Sequence, residues 1–164
     1  MTAIAAAVAA LTCSAAPVHA GPYPANAPGL GQLPWVRGTP TSLGLVGLIW
    51  YWPSAWSDMH AARIYTHGTT PDGNGPSMKI LWAFLSPTSK RLYARNGGGD
   101  LIVQGHRLDG AGKTWQRFVP IGYTGQNGAP SFASIINLTS TGCWRLRLST
   151  GGLHATVDFL AVSS

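Results

Sequence analysis

Gly142-Cys143-Trp144-Arg145-Leu146-Arg147-Leu148 is a segment along which apolar and polar side chains alternate. Successive side chains of a β-strand point to opposite faces of its sheet. The tryptophan and the two leucines therefore share one face, and the cysteine and the two arginines share the other. This pattern predicts a strand of an antiparallel sheet with one face buried in a hydrophobic core.

The chain on both sides of this segment repeats the pattern. Thr150-Gly151-Gly152 lies between two alternating runs and predicts a β-hairpin over Cys143–Val162. A short helix is predicted over residues 54–63. Further strand-like runs that end in turn-forming residues occupy residues 43–52, 79–85, 91–95, 100–108, 115–123 and 131–139. About seven or eight strands, with turn signals roughly every 8–16 residues, predict an antiparallel all-β sandwich.

The amino end has the features of a segment that is removed after export. The run Ala3–Leu11 is apolar, and Val18-His19-Ala20 places small or modest residues where a signal peptidase cleaves. We predict a signal peptide over residues 1–20, an irregular leader rich in proline and glycine over 21–42, and a sandwich domain over 43–164. Lipid attachment at Cys13 is the alternative, because the residues before it are similar to a bacterial lipobox. A membrane partner is expected only by that route.

The chain has two cysteines, Cys13 and Cys143. Cleavage after Ala20 would leave Cys143 alone, so an intramolecular disulfide is not expected. We predict a small buried thiol that packs beside Trp144. A nucleophilic role would need a neighbouring base and a lowered pKa, and the sequence indicates neither.

The formal net charge is +6, and glutamate is absent from the chain. A basic exported protein favours anionic polymers or surfaces as partners. The lysines and arginines are scattered, however, whereas nucleic-acid binding proteins concentrate them in a stripe. No specific nucleic-acid partner is therefore expected. The expected partner is an unidentified protein or a cell-wall polysaccharide.

Gly142-Cys143-Trp144-Arg145-Leu146 resembles the start of the last hairpin in a loose group of bacterial exported or lipid-anchored immunoglobulin-like domains of unknown function. The segments 79–82 and 101–110 fit the same resemblance, which covers residues 78–162. The resemblance implies an immunoglobulin-like sandwich and an extracytoplasmic location. It implies no catalytic residue.

Aromatic residues are the strongest side-chain signal, since seven tryptophans occur in the chain. Trp50, Tyr51 and Trp56 are candidates for an exposed platform on which sugar rings stack. The competing interpretation places Trp50 in the core with Trp52, Trp82 and Trp144, because the strand over 43–52 is apolar on both faces.

Catalytic and metal sites lack support in the sequence. The five aspartates fall mostly at turns, so a carboxylate pair of the glycosidase kind is not indicated. His60, His67, His106 and His154 have no metal-ligand spacing. We therefore expect no catalytic residue, metal or cofactor. The expected function is an exported cell-envelope or extracellular interaction module without catalytic activity; a carbohydrate-binding module that uses Tyr51, Trp56 and Trp50 is the alternative.

Overall fold

Two β-sheets pack face to face and enclose the main hydrophobic core. The computed structural model describes residues 13–20, 33–50, 63–65, 77–121, 123–124 and 129–162. In chain order the strands are β1 (Val18–His19), β2 (Trp35–Arg37), β3 (Leu45–Ile49), β4 (Arg63–Tyr65), β5 (Ser77–Phe84), β6 (Leu101–Arg107), β7 (Lys113–Phe118), β8 (Tyr123–Thr124), β9 (Ala129–Asn137), β10 (Gly142–Thr150) and β11 (Leu153–Val162). The prediction of an all-β sandwich is confirmed.

The order of the strands separates chain neighbours into different sheets. One sheet has six strands in the order β1-β2-β3-β5-β9-β8, and the other has five in the order β4-β11-β10-β6-β7. Neighbouring strands are antiparallel, apart from the parallel pair β4 and β11. The chain therefore changes sheets between β3 and β4, β4 and β5, β5 and β6, β7 and β8, and β9 and β10.

The hairpin predicted over Cys143–Val162 is confirmed. Its strands pair from Gly142 opposite Ala161 to Thr150 opposite Leu153. Gly151 and Gly152 make the turn with φ values of 48° and 77°. Two-residue hairpin turns of this kind need positive φ at both positions, which glycine adopts without steric penalty.

A helix, α1 (Pro87–Arg95), connects β5 to β6. The strand predicted over 91–95 is therefore wrong. The Ser86 side chain accepts a hydrogen bond from the Ser89 backbone N–H at 3.0 Å, and Pro87 occupies the first helical position. Serine at the cap and proline directly after it are a helix start signal, whereas the sequence interpretation treats the same two residues only as the end of a strand.

The main core lies between the inner faces of the two sheets. Trp82 from β5 and Trp144 from β10 are both completely buried there. The Trp82 Nε1–H donates to Ser134 Oγ at 3.0 Å, and the Trp144 Nε1–H donates to the Ser140 carbonyl at 3.0 Å. Both indole N–H groups are thus satisfied inside an apolar core. The expected burial of these two tryptophans is confirmed.

A second apolar cluster lies on the other face of the six-stranded sheet. Its buried members are Trp35, Val46, Leu48, Leu81, Ala83 and Leu85. All five residues of β3 are buried, which confirms that this strand is covered on both faces. The six-stranded sheet is therefore apolar on each side of its central strands.

The described residues before β3 contribute strands to the six-stranded sheet. Residues 18–19 form β1, which pairs with β2, and residues 41–43 form a short 3-10 helix before β3. The part of the predicted irregular leader that the structure describes, residues 33–42, thus includes strand β2 and the start of this helix. Within the described residues, no helix is long and apolar enough to span a membrane.

The predicted state of Cys143 is wrong. A disulfide joins Cys13 to Cys143, with a Cα–Cα distance of 5.3 Å. Cys143 is buried, with 3% of its surface exposed, although it lies on the opposite side of β10 from Trp144. Because the prediction assumes that residues 1–20 are removed, it does not consider Cys13 as a partner.

Candidate functional site

The outer face of the five-stranded sheet carries polar and cationic side chains. Along β6 and β10, buried residues alternate with exposed or partly exposed residues, and along β7 partly buried residues alternate with exposed ones. This alternation directs one set of side chains into the main core and the other set into solvent. The outward set on these three strands includes Gln104, His106, Lys113, Trp115, Arg117, Arg145 and Arg147.

Strand β7 is fixed by hydrogen bonds from its inward side chains. Thr114 Oγ1 donates to the Asn137 carbonyl at 3.0 Å. Gln116 Nε2 donates to the Ile135 carbonyl at 2.9 Å, and Gln116 Oε1 accepts from the Asn137 N–H at 3.0 Å. These bonds cover the backbone edge of β9, which would otherwise be open to pairing. They also hold the intervening residue, Trp115, in an outward position.

The strand register brings residues that are distant in sequence into one row. Gln104 in β6 pairs with Trp115 of β7 on one side and with Arg147 of β10 on the other. In the adjacent row, His106 pairs in the same way with Lys113 and Arg145. Neighbouring strands lie about 4.8 Å apart, so these side chains form one continuous surface.

A shallow groove of about 740 Å³ runs over this surface, and its lining includes Gln104, His106, Lys113, Trp115 and Arg147. We call it the Trp115 groove. Trp115 is 61% exposed, which is unusual for so large an apolar ring in a sandwich of this size. The groove therefore combines an accessible indole ring with side chains that can donate hydrogen bonds.

The charges around the groove are unequally compensated. Three arginines of the five-stranded sheet and its adjoining turns each have an aspartate partner: Arg107 with Asp109, Arg117 with Asp100, and Arg145 with Asp158. Among the described residues, neither the Lys113 nor the Arg147 side chain makes an ion pair or hydrogen bond. The groove thus presents uncompensated positive charge.

The paired carboxylates are structural. Asp109 accepts from Arg107 Nε at 2.7 Å and from the Cys143 N–H at 3.1 Å. The Arg107 hydrogen bond is the main reason why the pKa of Asp109 lies below its usual value. Desolvation opposes this effect, and the hydrogen bond from the Cys143 N–H adds a smaller lowering. Asp158 binds Arg145 through two hydrogen bonds, of 2.8 and 2.7 Å, which raise the pKa of this arginine.

A second depression lies between β7 and β9. Its volume is about 460 Å³, and the apolar side chains of Phe118, Ala133 and Ile135 are part of its lining. Lys79 also lines it, but its Nζ lies 4.7 Å from the centre of the Trp50 ring in a cation–π contact. Among the described residues that line this depression, none is a cation without a partner.

Of the three ligand-binding residues predicted from sequence, Trp50 is the one the structure describes. It is partly buried against the second apolar cluster, and Lys79 lies over its ring. Tyr51 and Trp56 lie outside the described residues, so the platform stays a prediction. The groove residues were not among those candidates.

The described residues offer little for catalysis. They contain no group of three or more histidine, cysteine or acidic side chains that could hold a metal ion. Each described aspartate pairs with an arginine, and Cys143 is in a disulfide and so has no thiol with which to attack. Asp58 and Asp72 lie outside the described part of the chain.

Comparison with protein-family models and with curated proteins finds no match to this chain. The function must therefore be inferred from the site itself.

One sequence signal could have found the groove. In Lys113-Thr114-Trp115-Gln116-Arg117 the tryptophan alternates in phase with two cations, and no apolar residue accompanies it. A tryptophan on the charged face of a strand is expected to be exposed. Its convergence with Arg147 depends on strand register, which the sequence alone does not specify.

Proposed function

We propose that this protein is an exported, non-catalytic interaction module that binds an acidic polysaccharide in the Trp115 groove. The observation that carries the proposal is the exposed Trp115 ring beside the uncompensated charges of Lys113 and Arg147. Sugar rings stack their C–H faces on indole rings, and carboxylate or sulfate groups accept hydrogen bonds from lysine and arginine.

The groove suits a polysaccharide better than a nucleic acid. Single-stranded nucleic acids usually bind to several aromatic side chains, on which successive bases stack. Among the described residues that line this groove, Trp115 is the only phenylalanine, tyrosine or tryptophan. The remaining lining is polar, which matches the hydroxyl and acidic groups of a sugar chain.

The disulfide supports the exported location. Disulfides persist in oxidising compartments and are rare in the reducing cytosol. The Cys13–Cys143 bond is therefore most compatible with a protein that functions outside the cytoplasm.

The strand order supports an immunoglobulin-like topology as part of the same proposal. β3, β5 and β9 adjoin in one sheet, and β11, β10, β6 and β7 adjoin in the other. This arrangement corresponds to strands A, B and E facing strands G, F, C and C′ of an immunoglobulin domain.

A binding experiment with polygalacturonate and with neutral dextran of similar length tests the proposal. We expect the protein to bind the acidic polymer and not the neutral one. Trp115→Ala should weaken binding about tenfold or more, as expected for a central aromatic contact. Arg147→Gln should weaken it roughly threefold to tenfold, and raising salt from about 0.05 M to about 0.5 M should weaken it further by screening.

Arg95→Gln is the matched control, because it removes one positive charge from the end of α1. Equal losses for Arg95→Gln and Arg147→Gln would mean that net charge alone attracts the polymer, and the proposal would be wrong. Tighter binding to a single-stranded oligonucleotide would also contradict it. If Tyr51→Ala and Trp56→Ala abolished binding while Trp115→Ala did not, the alternative carbohydrate site around residues 50–56 would be favoured.

A further inference from the structure

Residues 13–19 form a segment that contacts both sheets, and we call it the N-terminal strap. At its start, Cys13 is bonded to Cys143 of β10 in the five-stranded sheet. At its end, Val18 and His19 pair with β2 in the six-stranded sheet. The strap thus crosses one side of the sandwich and connects its two layers.

The non-covalent contacts of the strap are those of a folded element. The Ala16 N–H donates to the Asp158 carbonyl on the edge of β11 at 2.8 Å. Val18 is a member of the main core, with 9% of its surface exposed. The His19 ring stacks on Trp35 with a centroid distance of 4.2 Å. Ala16, Val18 and His19 are therefore held in place by contacts other than the disulfide.

Each processing route considered from the sequence would remove part of this arrangement. Cleavage after Ala20 would delete β1 and Val18 and leave Cys143 without its partner. Lipid attachment at Cys13 would use the sulfur atom in a thioether, and that sulfur could not also be in a disulfide. Both routes conflict with the observed contacts of the strap.

We propose that the mature protein retains the N-terminal strap, that any leader is cleaved before Cys13, and that Cys13 is oxidised rather than lipidated. The two thiols lose two protons and two electrons as the S–S bond forms. A disulfide-containing oxidant of the thiol–disulfide exchange class accepts them and is reduced to its thiols. The proposal concerns maturation and does not depend on the ligand of the Trp115 groove.

Mass spectrometry of the full chain, exported to the periplasm of a bacterial host, tests the proposal. Trypsin without prior reduction should release a peptide ending at Arg37 that is linked to the peptide Phe118–Arg145. Reduction should separate the two. The amino terminus should lie at or before Cys13, and no reactive thiol should be found in the oxidised protein.

A mature terminus at Gly21, a lipid on Cys13, or two free thiols in the exported protein would each overturn the proposal. A pair of full-length variants tests the strap separately from export, during refolding with reduced and oxidised glutathione. Val18→Asp places a charge in the core and should reduce the yield of disulfide-bonded protein at least fivefold. Ser14→Asp places the same charge at an exposed strap position and should not. Equal yields for the two variants would show that the strap is not part of the fold.

Discussion

The two sheets of this protein differ in what their outer faces present. The six-stranded sheet is apolar on both faces, and the outer residues of its central strands, such as Leu48 and Leu81, are almost completely buried. The five-stranded sheet is apolar only on its inner face, and Trp115 and Arg147 on its outer face are exposed. The six-stranded sheet therefore packs against apolar side chains on both faces, whereas the five-stranded sheet leaves its outer face available for binding.

This difference follows from the composition of the strands. A strand buried on both faces has a nearly continuous apolar sequence, as in Ile80-Leu81-Trp82-Ala83-Phe84 of β5. A strand buried on one face alternates, as in Arg145-Leu146-Arg147-Leu148 of β10. The same rule distinguishes, from the sequence alone, a sheet that is buried on both faces from a sheet that has one exposed face.

A charge placed on each outer face in turn tests the difference between the two sheets with the largest expected effect. Leu81→Asp buries an unpaired carboxylate at a position that is 4% exposed. We expect it to lower the free energy of unfolding by at least about 4 kcal/mol, because a buried charge without a partner loses its hydration. Urea denaturation monitored by tryptophan fluorescence measures the effect.

Gln104→Asp is the matched control on the five-stranded sheet. Gln104 occupies an exposed outward position on β6, an interior strand of its sheet. Its substitution should change the free energy of unfolding by no more than about 0.5 kcal/mol. Similar losses for the two variants would mean that the outer faces do not differ in the way described.

A smaller effect on the free energy of unfolding is expected from changes at the hydrogen-bond partners of Trp82 and Trp144, the two buried tryptophans, which belong to different sheets. Ser134→Ala removes the acceptor of the Trp82 Nε1–H, and it leaves this buried donor unpaired. We expect a loss of about 1–3 kcal/mol in the free energy of unfolding. Ser140→Ala should have little effect, because Trp144 donates to the backbone carbonyl at that position. Thermal unfolding of both variants checks the contrast, and an equal shift for the two would contradict it.

The sequence predicts the end of the chain better than its beginning. The last hairpin is predicted over Cys143–Val162 and is observed in β10 and β11, because alternation and a glycine turn act locally. The disulfide joins residues separated by 130 positions. A local sequence pattern carries no information about such a contact. The prediction that residues 1–20 are removed also leaves Cys13 out of consideration. In α1 the local signal was present but ambiguous, since Ser86-Pro87 can end a strand or start a helix.

The candidate site shows a similar division. The outward direction of Lys113, Trp115 and Arg117 follows from the alternation in β7. Their proximity to Arg147 follows from two strand pairings, between β7 and β6 and between β6 and β10. Pairing partners and register are properties of the tertiary fold, so a scattered set of cations in the sequence becomes one surface only after folding.

The smallest expected effect on the free energy of unfolding concerns Asp109, a carboxylate with an arginine partner, in contrast to the unpaired cations Lys113 and Arg147. Because the pKa of Asp109 is lower in the folded protein than its ordinary value of 3.8, the ionised form stabilises the fold. This stabilisation is complete above the pKa of the unfolded chain and is lost as the pH falls through the lower pKa of the folded state. Asp109→Asn should therefore reduce the free energy of unfolding by on the order of 1 kcal/mol at neutral pH.

The difference between the wild type and Asp109→Asn should begin to shrink as the pH falls below 3.8, and it should disappear below the lower pKa of the folded state, where the wild-type carboxyl is neutral as well. Denaturation midpoints of both proteins across this pH range measure it. In an Arg107→Gln background the difference should shrink, because Arg107 is the main cause of the lowered pKa. Arg147→Gln should leave it unchanged, since the Arg147 side chain makes no ion pair or hydrogen bond among the described residues. A difference that does not depend on pH would mean that Asp109 stabilises the fold through packing and not through its charge. Arg107 would then be grouped with the uncompensated cations of the five-stranded sheet.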